Sequence, residues 1–469
     1  MVKLSTPTRW LIGLALAVAT AVPSVAQEDT YDRKQLKAWK ELCDRWAEAE
    51  GDGRKLLIEG EARKLPAIPH SAVEPLAEHL FELAAEHGPK LKKRGKNYFY
   101  DADKKLGLYL ITPGKKGGGL LISLHGGGEG QGDAGSAHGI WSSAKSKGFT
   151  VISPEVMKKV SSAWNEKAEE QMVLEMIEAA KRTFEIDPDR ICIAGHSMGG
   201  DGSWMIGGRN ADLFAAASPL AGSVMPYMKR GVNNRLETPL SDYEGLMEGV
   251  IPNLMWLPYH IHHSDDDRNE AIHPDDIATG YLERLQKLYP ERYVFTYDRV
   301  TGNGHALPTT GVKPIIEWMS EQRRKTYPDE VVWETWWPTK RQFYWLYHPA
   351  PEDAWRFHAK VVAPNHVAVT GTTKLVAGRT KPESLELTLL LSPEMFDFDK
   401  PLTVSCEGKT VFEGPIESSL WALLVSVGRR NDSKQWFQGH VDVEIPRKMW
   451  FDFWTQPEPL APTTPSEGE

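Results

Sequence analysis

The chain has 469 residues, 41% of them hydrophobic and 25% charged, which is more than one usual domain holds, so two folded domains are expected. A net charge of −9 argues against nucleic acid as a partner. The three cysteines, Cys43, Cys192 and Cys406, are too few for a disulfide scaffold and fit no zinc motif; Cys192 reads as a buried thiol, and pairing of Cys43 with Cys406 stays open.

Residues 1–26 read as a secretory signal: Lys3 and Arg9, an apolar run from Trp10 to Val22, then Ser24-Val25-Ala26 as a small-residue cleavage site. The run is shorter than the roughly 20 residues that cross a bilayer. The expected product begins near Gln27, is exported to the periplasm or outside the cell, and has no membrane span. Without the leader and its two basic residues the net charge is −11. Residues 27–97 are expected to form a helical cap or linker, with Leu36, Trp39, Leu42 and Trp46 at three- and four-residue spacing.

From Tyr98 to Tyr327 the pattern becomes that of an α/β domain. Strands are predicted at Gly107–Thr112, Leu120–Leu124, Phe149–Ser153, Ile191–Ala194, Phe214–Pro219, Met255–Ile261 and Tyr293–Tyr297. Helices are predicted at Ala134–Lys147, Lys167–Phe184, Met198–Ile206, Pro274–Leu288 and Val312–Arg324. Such alternation implies a mostly parallel sheet with helices on both faces. Residues 224–252 interrupt it with Met225, Tyr227, Met228, Tyr243 and Met247, a cap insertion suited either to shaping a pocket or to ordinary packing.

A second region spans 328–457. It opens on an aromatic stretch including Trp333, Trp336, Trp337, Phe343, Tyr344, Trp345, Tyr347 and Trp355, which suits packing between domains or stacking on sugars. Strands then follow at Ser384–Leu391, Leu402–Ser405, Thr410–Glu413 and Val441–Ile445, predicting an all-β sandwich. Residues 458–469 are rich in Pro, Thr and Glu and are expected to be disordered.

The chemistry concentrates at Ile191-Cys192-Ile193-Ala194-Gly195-His196-Ser197-Met198-Gly199, a buried strand running through Gly-x-Ser-x-Gly into a helix. That is a nucleophile elbow, with Ser197 exposed on a strained turn and no room for side chains at Gly195 and Gly199. The bare pentapeptide is a weak signal; the strand before it and the helix after it give it weight. A hydroxyl nucleophile needs a base, and the base an orienting acid, which follow such an elbow in the order acid then His.

His305 in Thr301-Gly302-Asn303-Gly304-His305 is the candidate base, and one of Asp265, Asp266 and Asp267 the candidate acid. The competing reading of this stretch is metal ligation by His260, His262 and His263 with the Asp cluster. Leu124-His125-Gly126-Gly127-Gly128 follows a strand and offers backbone N–H groups; Gly126 and Gly127, with Met198, are the candidate oxyanion donors. The run lacks the Lys-Ser/Thr ending of a phosphate loop.

Together these motifs resemble the polyhydroxybutyrate-depolymerase, feruloyl-esterase and dienelactone-hydrolase-like branch of the α/β hydrolases, some of them labelled predicted peptidases. Ile186-Asp187-Pro188-Asp189-Arg190 leading into Gly195-His196-Ser197-Met198-Gly199-Gly200, then Phe214-Ala215-Ala216, carries the likeness over residues 98–325. Relatives of this fold often carry His-Gly-x-x-Asp at this point, its Asp being the acid, and His263-Ser264-Asp265-Asp266-Asp267 matches with Ser264 for Gly, which favours Asp267. The resemblance implies a carboxylic-ester hydrolase acting through an acyl-enzyme on a small-molecule or polymer-linked ester, with no cofactor. A serine peptidase with the same triad, or a carbohydrate-binding surface protein, is the alternative.

Overall fold

The computed structural model describes residues 30–99, 107–224, 249–335, 337, 339–349, 355–374 and 383–450. The expected signal sequence over 1–26, residues 225–248 of the expected cap insertion, Trp336 and the tail from 458 lie outside the described residues. No described helix is long and apolar enough to cross a membrane.

The chain enters through α1 (Arg33–Glu48), α2 (Gly51–Lys55) and α3 (His70–Glu86). Asp32 starts α1 with a capping box, its carboxylate accepting from the Gln35 N–H while the Gln35 side chain accepts from the Asp32 N–H. The three- and four-residue apolar spacing buries Leu42 and Trp46, with Leu36 and Trp39 partly buried beside them.

Eight strands follow: β1 (Gly95–Tyr98), β2 (Leu108–Thr112), β3 (Gly118–Leu124), β4 (Thr150–Pro154), β5 (Ile186–His196), β6 (Ala216–Leu220), β7 (Tyr259–Ser264) and β8 (Phe295–Val300). They pair in the order β1-β2-β4-β3-β5-β6-β7-β8. The first two pairings are antiparallel and the rest parallel. Between them run α4 (Ala134–Trp141), α5 (Lys167–Thr183), α6 (Met198–Arg209), α7 (His273–Leu288) and α8 (Lys313–Glu321).

Period-two alternation divides the sheet between two cores. Leu120, Ile122, Ile191 and Ile193 pack with Met172, Met176, Trp204 and Met205 of α5 and α6. Leu121, Val151, Cys192 and Ala194 face the other way, onto Trp141 of α4 and Ile315, Ile316 and Met319 of α8. This is the mostly parallel, doubly covered sheet that the strand and helix alternation predicts, and the α/β-hydrolase fold that the resemblance implies. One predicted strand moves: Met255 and Trp256 belong to a 3-10 turn, and β7 begins only after Pro258, which has no N–H to give a ladder.

The remaining strands are β9 (Glu330–Glu334), β10 (Gln342–Phe343), β11 (Leu346–Tyr347), β12 (Trp355–Ala363), β13 (His366–Lys374), β14 (Ser384–Leu391), β15 (Leu402–Cys406), β16 (Lys409–Gly414) and β17 (Gly439–Trp450). β13 joins them: His366–Ala368 pair with β15, and Gly371–Lys374 with β17. This β-rich domain also contains a helix that the strand pattern did not predict, α9 (Leu420–Arg430), which Ser419 caps at Ala422 N–H and Asn431 ends in the left-handed region. α9 is buried along nearly its whole length, and its mostly apolar run Leu420–Val427 reads as readily as a buried strand; it is covered by α3 and by Trp46 of α1, whose ring lies where a Cβ on Gly428 would stand.

The described aromatics from Trp333 to Trp355 are buried, apart from a partly buried Trp337, which favours packing over sugar stacking. Tyr344 donates to the Ala211 carbonyl and the Trp337 indole to Glu170, so they join the two domains. Buried charges do the same. Asp212 accepts from Lys340 and Arg430, and Arg324 donates to both Asp189 and Asp432. Cys43, Cys192 and Cys406 are all buried and none is joined in a disulfide, so the Cys43–Cys406 pair is not present.

Candidate active site

Ser197 stands between β5 and α6 at φ 60° and ψ −130°, a conformation costing a non-glycine residue on the order of 1–3 kcal/mol. The turn is held by the Ser197 N–H donating to Leu220 O at 2.8 Å and by Ser197 O accepting from Gly200 N–H at 2.6 Å. The two flanking glycines are needed for close approach. A Cβ on Gly195 would lie 2.3 Å from Gly199 O, and one on Gly199 2.2 Å from Leu124 O.

The structure brings Ser197, His305 and Asp267 together from three separate segments. His305 Nδ1 lies 2.7 Å from Asp267 Oδ2, and its Nε2 lies 2.8 Å from Ser197 Oγ. A carboxylate can only accept, so Nδ1 carries hydrogen and Nε2 is left to accept from the serine hydroxyl. Burial opposes charge on Asp267, but the Glu270 N–H, the His305 ring and the Asn269 N–H together hold its carboxyl below the ordinary range.

The three adjacent aspartates divide one task. Asp265 accepts from Arg299 and Thr301 at the base of the His305 loop. Asp266 Oδ1 accepts from the N–H groups of Gly302, at 3.1 Å, and Gly304, at 2.9 Å, and from the Ser264 hydroxyl. These bonds, Ser264 first, lower its carboxyl pKa. Asp267 alone reaches the imidazole. Ser264, the departure from Gly in the motif, therefore ties β7 to the loop, since its Oγ also accepts from Asn303 N–H at 3.1 Å.

Gly126 lies against the serine: a Cβ there would meet Ser197 Cβ at 3.1 Å. Gly127 has φ 139° and a Cβ on it would meet Gln131 O at 2.7 Å, and Met198 opens α6 directly after Ser197. Sequence reasoning gave His125 no part, yet it shapes this loop. Its Nδ1 bonds Gly126 O at 2.8 Å, its Nε2 accepts from Val156 N–H at 3.2 Å, and its own carbonyl accepts from the Trp164 indole at 2.9 Å. Burial lowers the His125 pKa, keeping the ring neutral. His196, whose ring centre is 4.9 Å from that of His305, is held down to about 4 by burial and then by His305.

The histidines set aside for a metal have other partners. His260 Nε2 lies 2.8 Å from Asp298, His263 is bonded to Asp275 and Glu270 O, and His262 Nε2 lies 3.4 Å from Asn303. Among the described residues no group of three or more His, Cys, Asp or Glu side chains is arranged to hold a metal ion.

The Esterase family model matches residues 145–279, which include Ser197 and Asp267 but neither His305 nor the 126–127 loop. Among solved structures, a thermostable esterase is 20% identical with a TM-score of 0.35, over 49% of this chain and 62% of that one. An S-formylglutathione hydrolase from Agrobacterium tumefaciens is 14% identical with a TM-score of 0.37, over 50% of this chain and 98% of that one. An acetyl xylan esterase from Aspergillus awamori is 15% identical with a TM-score of 0.33, over 45% of this chain and 93% of that one. No curated protein matches. The chain thus has a segment that matches the Esterase family model within an α/β-hydrolase fold, joined to a β-rich C-terminal domain.

Proposed function

We propose that this is an exported serine hydrolase that cleaves carboxylic esters through an acyl-enzyme on Ser197. The observation that carries the reading is the hydrogen-bonded line from Ser197 Oγ through His305 to Asp267. The Esterase-family segment supports ester substrates, and the leader-like residues 1–26 support export.

In the first step Ser197 Oγ bonds to the ester carbonyl carbon while its proton passes to His305 Nε2. Asp267 holds the ring in the required tautomer and offsets the imidazolium charge. The N–H groups of Gly126, Gly127 and Met198 receive the oxyanion. Collapse breaks the bond to the alcohol, which leaves with the proton from His305. Water then attacks the acyl carbon, gives a proton to His305, and the acid departs as that proton returns to Ser197 Oγ.

The test is release of p-nitrophenol from short-chain acyl esters by the purified protein, with Ser197→Ala alongside. Turnover that vanishes in the variant is expected. Equal rates in both, or none in either, overturn the reading, and cleavage of peptide anilides as fast as esters moves it to a peptidase.

A further inference from the structure

We propose that His263 and Asp275 continue the Ser197–His305–Asp267 line into the interior, with His263 acting as a positioning residue that fixes the Asp267 carboxylate toward His305. This rests on the serine-hydrolase reading above.

His263 lies near the end of β7 and Asp275 in the first turn of α7, and neither side chain is exposed. His263 Nδ1 is 2.8 Å from Asp275 Oδ2. Its Nε2 is 3.3 Å from the Glu270 carbonyl and 3.5 Å from Asp267 Oδ2, the oxygen that accepts from His305. A backbone carbonyl can only accept, so Nε2 carries hydrogen whichever of His263 and Asp275 holds the proton between them. The hydrogen bond goes to Glu270 O, and 3.5 Å to Asp267 is an electrostatic contact.

Asp267 is therefore enclosed by donors. Oδ2 meets the His305 ring on one side and His263 on the other, and Oδ1 takes the N–H groups of Asn269 at 2.8 Å and Glu270 at 3.0 Å. Swinging the carboxylate away from His305 would break contacts on both oxygens. The same Glu270 that donates to Asp267 accepts from His263, so the ring also fixes the short turn that carries those N–H groups.

Packing alone gives little reason for this pair, because a buried ion pair exchanged for apolar side chains of similar volume is often neutral or stabilising. Other charges nearby are already matched: Asp276 on α7 is bonded by Tyr297 and Arg299, and His262 on β7 faces Asn303. Burial works against a charged His263, yet Asp275 and then Asp267 outweigh it and raise its pKa. Asp275 is pushed up by its own burial. Both shifts fit a proton shared between the two.

The experiment is a double-mutant cycle on the full chain with a p-nitrophenyl ester, using Ser197→Ala as the control for the underlying mechanism. His263→Leu is expected to lower kcat about 10- to 100-fold at nearly unchanged KM, and His263→Gln, whose amide can still donate, to regain most of it. In an Asp267→Asn background His263→Leu should cost nothing further. Wild-type kcat in a folded His263→Leu variant, or the same loss in the Asp267→Asn background, overturns the proposal while leaving the triad standing. Wild-type turnover that survives Ser197→Ala overturns the triad reading and this one with it. Should the leucine variant fail to fold, Asp275→Asn is expected to lower kcat about 10-fold at unchanged KM, and wild-type kcat there overturns the proposal.

Discussion

Changing Asp265, Asp266 and Asp267 to asparagine one at a time should produce three very different enzymes, because the three carboxylates hold different atoms. Asp267→Asn keeps the size of the side chain but lets its amide donate toward His305 Nδ1, which favours the wrong tautomer across a 2.7 Å contact. In a Ser-His-Asp arrangement that loss is about 10⁴-fold in kcat, or ~5.4 kcal/mol of transition-state stabilisation. Asp266→Asn leaves the triad atoms in place and weakens two backbone hydrogen bonds that hold Gly302 and Gly304, so His305 drifts rather than flips. A drift of that kind is expected to cost about 10- to 100-fold. Asp265→Asn weakens a half-exposed contact with Arg299 and should change kcat less than about threefold. Steady-state kinetics on a p-nitrophenyl ester reads all three. An Asp265 or Asp266 variant more impaired than Asp267→Asn would refute the assignment of the acid.

Other consequences follow from the packing. Gly199→Ala should abolish activity, since its Cβ would stand 2.2 Å from Leu124 O, whereas Gly139→Ala on α4, where a Cβ meets nothing within 4 Å, should keep activity and gain up to about 1 kcal/mol in urea unfolding. Asp212→Asn removes the counter-charge of partly buried Lys340 and buried Arg430 where the domains meet and should cost about 3–5 kcal/mol, seen as a lower denaturation midpoint; an unchanged midpoint would contradict that role. Burial holds the folded His348 ring at about 4, against about 6.5 in an unfolded chain. The unfolded state thus binds the extra proton between those values, and stability falls as pH drops through that window. His348→Phe, which keeps the ring packed on Trp355, should flatten the decline in melting temperature; parallel curves would argue against it.

The sheet of the first domain was legible because its strands are short apolar runs set between amphipathic helices, and the meeting of Ser197, Asp267 and His305 because each lies in a loop or turn that follows a strand, with glycines or turn residues beside it. What stayed hidden was hidden for physical reasons. α9 is buried on almost every side, and a short apolar run such as Leu420–Val427 suits a buried strand as well as a helix. The hairpin of β12 and β13 sits among aromatics and charges that equally suit a linker. Asp266 and His263 look like spare members of a His and Asp cluster, and only the fold of the 302–305 loop against β7 separates the residue that clamps the loop from the one that meets the imidazole. His125 drew no attention because its part lies in backbone contacts from Val156 and Trp164, many residues away in the chain.

The central claim is that Ser197 is the nucleophile made reactive by His305. Reaction with a fluorophosphonate, followed by peptide mapping in a mass spectrometer, tests it without any choice of ester. One adduct per chain on the peptide containing Ser197, formed far more slowly in His305→Ala and absent from Ser197→Ala, is the predicted result. An unlabelled protein, or an adduct on a different residue, would contradict the account.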